Sequence, residues 1–457
     1  MPTARLRDSL HCALKSFPIL TGHIQETGDG LSKTVVVDER NPNLPDFTEA
    51  SSSVQYNKLK GHHFNWSVWP STVATAGPVT APGNKGVIKL LCIHVMRLGD
   101  NSGLMLFCNI PHYILDGFGY YEFLCHWAML CRMRGKQQVS DMSSPVTAIS
   151  YVFDRSILSS HIPKQRKPLD SKTRAFIARK SRVSSIFAKL PYRLQTRLAS
   201  TALSLNHANA HFFHVSAAAL EELCNLHCSK DMPDIDLNPS GSASYAILVA
   251  LFSMPIIQVL VRKSTRRRAI LQKLVLTLHC APQASDSSVT IINCIHAHKL
   301  LDMEDRKYIG NPVFMQPVFV PLDYEQYNEN TLATAFANVV DHINAGVRSI
   351  DAPLLGGLLD TLDENPDTYA KLAISVAMGR PLLTFIDERE YRVGDVDFGC
   401  GSPSWVSAPA WNMPNFVAFL ACPPGLDGTM VYTSLKDDIF ERVSCNILFA
   451  KYARFLF

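Results

Sequence analysis

The stretch "CNIPHYILDGFGYYEF", residues 108–123, joins an apolar run to an aromatic one. Upstream, "GVIKLLCIHVMRLGDNSGLMLFCNIPH" reads as two apolar strands around the turn "GDNSG", a hairpin pattern. Downstream of Gly117, the spacing of Phe118, Tyr121, Leu124, Trp127, Ala128 and Cys131 is helical and ends at Gly135. The quoted stretch is therefore a strand-to-helix switch. His112 and Asp116 stand four apart in it, with Gly117 directly behind.

Three readings of that pair are open. In the first, Asp116 caps the helix that follows, because a carboxylate accepts the free amides of a helix start and suits its positive end. His112 is then an ordinary strand-end histidine. In the second, the two side chains belong to a metal site. That needs at least one further ligand, and nothing nearby has metal-site spacing, so no metal is expected. In the third, an imidazole at the end of a rigid buried strand takes a proton from an alcohol or amine. Gly117 and Gly119 then remove bulk where a substrate approaches. Asp116 holds the loop, since a bare carboxylate beside the base would raise its pKa.

At 457 residues the chain is long enough for two or three domains. Its 47% hydrophobic and 18% charged residues fit a compact soluble fold, not a disordered chain. A formal charge of +4 implies no nucleic-acid partner. Twelve scattered cysteines, of which Cys224 and Cys228 come nearest to a pair, fit reduced thiols in the cytoplasm. No signal-peptide core follows Met1. "SYAILVALFSMPIIQVLVRKSTRRR", from Ser244 to Arg268, has the hydropathy of a membrane span, but Pro255 and Gln258 interrupt it. A buried helix broken near Pro255 is the competing reading.

Around the switch, "LRDSLHCALKSFPILTG" places Leu6, Leu10, Ala13 and Leu14 on one helical face and ends at Phe17-Pro18. "TVVVDE" is a short β-branched strand. Residues 161–197 are rich in Lys and Arg, as in a solvated connector or a phosphate-binding surface. Beyond them "HFFHVSAAALEELCNL" reads as strand then helix, "KLVLTLHC" and "VTIINCIHAH" as strands, and "TLATAFANVVDHINAGV" as a helix. "PLLTFIDEREYRVGDVDFGCGSPSWV" is strand and turn, and "NFVAFLACPPGLDGTMVYTSL" is a hairpin. The expected fold class is α/β with mixed β-sheets flanked by helices, in two blocks of similar size.

With these segments in order, the chain resembles the acyl-CoA-dependent acyltransferases of the BAHD group, within the chloramphenicol-acetyltransferase-like superfamily. "PHYILDGFGYYEFLCHWA" resembles their His-x-x-x-Asp-Gly signature. "LRDSLHCALKSFPILTGHI" is similar to their early helix, and the apolar 244–268 run falls where they have a buried helix. "YIGN" (308–311) resembles their Tyr-Phe-Gly-Asn turn, and "DFGCG" (397–401) their Asp-Phe-Gly-Trp-Gly, with Cys400 in the tryptophan's place. Within the group the chain resembles the divergent fungal members, which mostly acylate hydroxyls of specialised metabolites such as terpenoids and alkaloids.

The resemblance implies two chloramphenicol-acetyltransferase-like domains with a tunnel between them. Residues 1–160 would form the first, without the strand that the family has ahead of the early helix. Residues 161–205 would be the basic connector, and 206–457 the second domain, with a strand exchange near 380–400. It implies His112 as general base and Asp116 as keeper of the loop. Gly117, Asp397, Gly399 and Gly401 would maintain packing. Arg266, Arg267 and Arg268 become candidates for the CoA phosphates. No bound cofactor is implied: acyl-CoA is a co-substrate, a small-molecule hydroxyl the acceptor, and the enzyme a cytoplasmic monomer without a membrane span. The family's arginine that pairs with the motif aspartate is absent here. "NCIHAHKLLDMEDRKYIGN" offers His296, His298 and Lys299 in its place. Two alternatives stand beside this reading. One is a non-catalytic relative acting as a binding protein; the other is a condensation-type domain, which usually doubles the histidine where this chain has Pro111.

Overall fold

The computed structural model describes residues 1–26, 33–70, 89–112, 114–136, 150–178, 208–228, 244–256, 288–303, 307–321, 331–365, 368, 382–407 and 414–457. The first unit is built on helix α1 (Thr3–Ser16), which buries Leu6, Ser9, Leu10, Ala13 and Leu14 along one stripe. Pro18 disfavours helical backbone at Phe17 and stops it there. A short ribbon of β1 (His23–Glu26) and β2 (Lys33–Val36) follows. Then β3 (Asp46–Ser51) runs parallel to β4 (Cys92–Arg97), which is antiparallel to β5 (Leu104–Asn109). The β4–β5 connection is the "GDNSG" turn, with Asp100 and Asn101 at positive φ, where short polar side chains are best tolerated. Between β3 and β4 lies the short helix α2 (Tyr56–Gly61).

After β5 the chain turns into α3 (Gly117–Lys136), which packs on α1. Trp127 is fully buried in that contact. Its indole N–H reaches the Leu6 carbonyl at 3.1 Å and the Ser9 hydroxyl at 3.0 Å, so the large ring is buried without an unpaired donor.

The second unit is a seven-stranded sheet in the order β12-β6-β11-β10-β9-β7-β8. Its strands are β6 (Asn209–Val215), β7 (Ser288–His296), β8 (Val313–Pro321), β9 (Leu382–Glu388), β10 (Phe416–Ala421), β11 (Thr429–Leu435) and β12 (Arg454–Phe455). β9 runs parallel to both neighbours and the other pairings are antiparallel. Side chains alternate between two apolar layers. Phe213, Leu383, Phe385, Val417, Phe419 and Val431 face one layer. Phe212, Ile386, Phe416, Ala418 and Tyr432 face the other, where Trp66 of the first unit packs on Phe212 and Tyr432.

The apolar run from Ser244 lies in the first of these layers. Residues 244–256 are a helix, and Leu248 through Phe252 are wholly buried against the sheet and the helix Leu332–Arg348. Among the described residues no helix is long and apolar enough to cross a membrane. The strand expected at "KLVLTLHC" (273–280) lies outside the described residues.

Among the elements absent from the sequence reading are β3 and β8. β3 is polar and largely exposed, so it carries no apolar alternation. β8 contains Pro317, which argues against a central strand; β8 ends the sheet, and at an edge a missing N–H is tolerated.

Candidate active site

His112 and Asp116 belong to the turn between β5 and α3. β5 ends at Asn109, and Pro111, which has no N–H, cannot continue the ladder to β4. His112 is therefore not a buried strand-end residue, as the sequence suggests. It sits in the turn beyond the strand and is exposed. Ile114 N–H closes that turn on the Pro111 carbonyl at 2.8 Å.

Asp116 stands at the start of α3 and is fully buried. Its Oδ1 accepts the Gly119 N–H at 2.9 Å, the bond of an N-cap to the third helical residue. Its backbone carbonyl accepts the Tyr120 N–H at 2.9 Å, which opens the helical ladder. The other carboxylate oxygen, Oδ2, accepts no hydrogen bond from a described residue. Nδ1 of His296 lies 3.7 Å from it and Nδ1 of His298 3.8 Å. Two imidazoles thus occupy the place for which the sequence offered His296, His298 and Lys299. The side chain of Lys299 lies outside those described.

The "YIGN" turn, almost 200 residues downstream, docks on this loop. The Gly310 carbonyl accepts the Asp116 N–H at 2.8 Å. The Asn311 amide donates to the His112 carbonyl at 2.5 Å and lies 3.3 Å from His112 Nδ1, so Nε2 is the ring nitrogen turned away from that contact. The Tyr308 carbonyl accepts Nε2–H of His298 at 3.1 Å. One tight turn therefore touches the base candidate, the cap and its buried neighbour. Asn311 was legible only as part of a motif, without a role.

Behind the loop stands Tyr391, which no sequence signal marks. Its hydroxyl is 2.9 Å from His296 Nε2 and its ring lies against Tyr121. Burial holds its pKa well above the ordinary phenol range, so the O–H stays protonated. Glu388, at the end of β9, is pushed up to about 7 by burial, which the nearby His296 only partly offsets. Tyr391 also corrects the reading of the glycines. A Cβ on Gly117 would overlap the Tyr391 ring, and one on Gly119 would meet Leu115, Asp116 and Ile309. Protein atoms occupy the space that the sequence reading left for a substrate; these glycines admit neighbouring side chains.

The "DFGCG" loop lies elsewhere, against the body of α3. The Phe398 ring meets Trp127 edge-on at 4.8 Å, and Arg132 donates to the Asp397 carbonyl. Trp127 is ten residues into α3, about 15 Å along the axis from its start. Asp397 Oδ1 gathers the amides of Gly399, Cys400 and Gly401 at 2.7–3.0 Å, which holds its pKa below the usual carboxylate value. Gly399 and Gly401 have φ of 103° and 91°, open to glycine without strain. Arg266, Arg267 and Arg268 lie outside the described residues. Among the described residues no group of three or more His, Cys, Asp or Glu could hold a metal ion. A cavity of about 590 Å³ at the β6–β12 edge, lined by His214, Lys451 and Arg454, includes none of the motif residues.

A family model described as "Transferase family" matches residues 1–443. The chain belongs to this family. The resemblance to the BAHD acyltransferases stands with it. A comparison with curated proteins finds no match. Among solved structures, TRI101 of F. graminearum, complexed with ethyl coenzyme A, is 14% identical with a TM-score of 0.64, covering 100% of this chain and 92% of that one. Vinorine synthase is 15% identical with a TM-score of 0.57, over 99% and 85%. The first condensation domain of the CDA synthetase is 12% identical at 0.52, over 100% and 89%. At these identities the likeness is one of fold. This member of the transferase family has the mixed α/β architecture of chloramphenicol-acetyltransferase-like proteins.

Proposed function

We propose that this member of the transferase family is an acyl-CoA-dependent acyltransferase that moves an acyl group, in the first instance acetyl, onto the hydroxyl of a small specialised metabolite. The observation that carries this reading is the mounting of His112. It is an exposed imidazole at a junction of the two units, held through its backbone by Asn311 and carried on a loop whose far end is the buried Asp116. An exposed histidine on a loop tied at both ends is poised to take a proton from a ligand rather than to fill a core.

In this reading acyl-CoA and the acceptor meet at His112. His112 Nε2 takes the acceptor proton, the acceptor oxygen forms a bond to the thioester carbonyl carbon, and the carbon–sulfur bond breaks. The proton passes from the imidazolium to the CoA thiolate, so the base is regenerated. No acyl-enzyme is needed, because a thioester is already activated and a positioned acceptor supplies proximity. Asp116 does no proton chemistry in this scheme; its carboxylate is turned into the protein, towards His296 and His298.

The test is release of free CoA thiol from acetyl-CoA across a panel of hydroxyl and amine acceptors. Turnover with at least one acceptor is expected. His112→Ala should lower it about a hundred- to ten-thousand-fold with KM for acetyl-CoA near that of the parent. Turnover of the variant within threefold of the parent would remove His112 as the base. A parent that releases no thiol with any acceptor, while still binding CoA, would favour a non-catalytic binding protein.

A further inference from the structure

The buried Asp116 poses an electrostatic problem that its cap bond does not solve. Its side chain is 0% exposed, and Oδ2 accepts no hydrogen bond from a described residue. An isolated carboxylate in such a place is costly, so it must be faced by a donor or a cation. Among the described residues, the groups facing Oδ2 are the Nδ1 atoms of two histidines that arrive from the end of β7 and the helix Ala297–Leu300.

The two imidazoles differ in what their other nitrogen touches. His296 Nε2 meets the Tyr391 hydroxyl at 2.9 Å, and a hydroxyl can give or take a proton. A neutral His296 satisfies both sides: Tyr391 O–H donates to Nε2 while Nδ1–H points at Asp116. His298 has no such freedom. Its Nε2 faces the Tyr308 carbonyl at 3.1 Å, and a carbonyl only accepts, so that nitrogen must carry hydrogen. Neutral His298 would then turn a lone pair on Nδ1 towards a carboxylate 3.8 Å away. Only the imidazolium presents N–H on both sides.

The geometry points to a two-histidine clamp on Asp116 in which His298 is the cation and His296 the neutral donor, so that the anchoring of the His112 loop depends on the protonation of His298. This deepens the acyltransferase reading and, for its kinetic consequence, rests on it. His298 is a positioning residue: it acts on the loop through Asp116, and its ring lies on Phe118 of α3 at 4.4 Å. Among the described residues, the other titratable groups around the clamp include Tyr308, Tyr391 and Glu388, and the charges of Arg155 and Asp154 act on Tyr308. Tyr308 and Tyr391 both have pKa values above the phenol range, burial being the main cause, and Glu388 faces His296. Neither tyrosine nor Glu388 supplies a fixed positive charge.

The sign follows from linkage. A histidine that gains a carboxylate partner on folding holds its proton more tightly folded than unfolded. Its stabilisation is complete below the ordinary imidazole range, about 6.5, and fades as pH rises above it. His298→Gln, which keeps a donor but cannot be charged, should therefore melt below the parent by about 2–4 °C at pH 6. The gap should close by pH 9, and His298→Arg, with a permanent charge, should hold its melting temperature better than the parent across that interval. With an acceptor in hand, kcat of the parent should fall over the same alkaline range with KM for acetyl-CoA unchanged.

A deficit of His298→Gln that is equal at pH 6 and pH 9 overturns the clamp. If that variant does not fold, carbon-13 NMR of the histidine ring carbons in the parent decides. One of the 16 histidines should stay charged well above pH 6.5, and titration of all of them at or below about 6.5 overturns the proposal. Melting and NMR need no acceptor. A failure of the acyltransferase reading would leave both results standing.

Discussion

At the scale of single residues, the site is a set of compromises between burial and charge. Asp116 caps α3 through Oδ1 and turns Oδ2 towards His296 and His298, so the two oxygens of one buried side chain face different partners. Glu388 carries a prediction of its own. Its carboxyl titrates near 7 in the fold against about 4.3 in an unfolded chain, so the folded state binds that proton more tightly. The contribution is present below about pH 4.3 and lost as pH rises through 7. Glu388→Gln cannot ionise and should come closest to the parent at pH 4, then exceed it by about 2–4 °C in melting temperature at pH 8. Melting curves at the two pH values check this, and a gain of the same size at both would show that ionisation is not the cause.

At the scale of elements, the start of α3 is assembled from three distant segments. The 308–311 turn ties the loop through Gly310 and Asn311, β7 ends at His296, and the segment after β9 lays Tyr391 over Gly117. Tyr391 is also bonded to His296, so it cannot move aside without loss. Gly117→Ala should consequently cost about 1–3 kcal/mol through overpacking. Combined with Tyr391→Ala, which vacates the space, the two losses should sum to more than the double variant shows. Chemical denaturation of the four proteins measures this, and strict additivity would mean that Tyr391 does not occupy the space beside Gly117. Sequence periodicity revealed α1, α3 and the β4–β5 hairpin because each has an apolar stripe or alternation of its own. It could not reveal Tyr391 or Glu388, whose roles come from elements far apart in the chain.

At the scale of the whole molecule, the seven-stranded sheet has apolar layers on both faces, and the 244–256 helix fills one of them. Phe252 is fully buried there, with its ring 4.9 Å from Phe449 and 5.9 Å from Phe213. Phe252→Ala should lower unfolding free energy by about 3–5 kcal/mol, measured by urea titration. A loss below about 0.5 kcal/mol, the size of an ordinary surface substitution, would remove the helix from the core. Hydropathy alone left this segment between a membrane span and a buried helix, because lipid and a protein interior select the same side chains. The surrounding sheet decides between them.

By itself the sequence determined what depends on local order: a helix ending before Pro18, a strand-to-helix switch at residues 108–123, a hairpin around "PPGLDG", and ordered motifs that resemble one family. It also placed His112 and Asp116 on one loop, since four residues of separation allow little else. Only the tertiary structure decided what surrounds them. Pro111 breaks the strand, so His112 lies in an exposed turn. The glycines face Tyr391 and the packed loop, and Asp116 meets His296 and His298, about 180 residues away, two of the three residues that the sequence offered in place of the missing arginine. The physical reason is that short-range periodicity records which side of an element is buried, whereas the partner of a buried charge is chosen by chain folding that brings remote segments together.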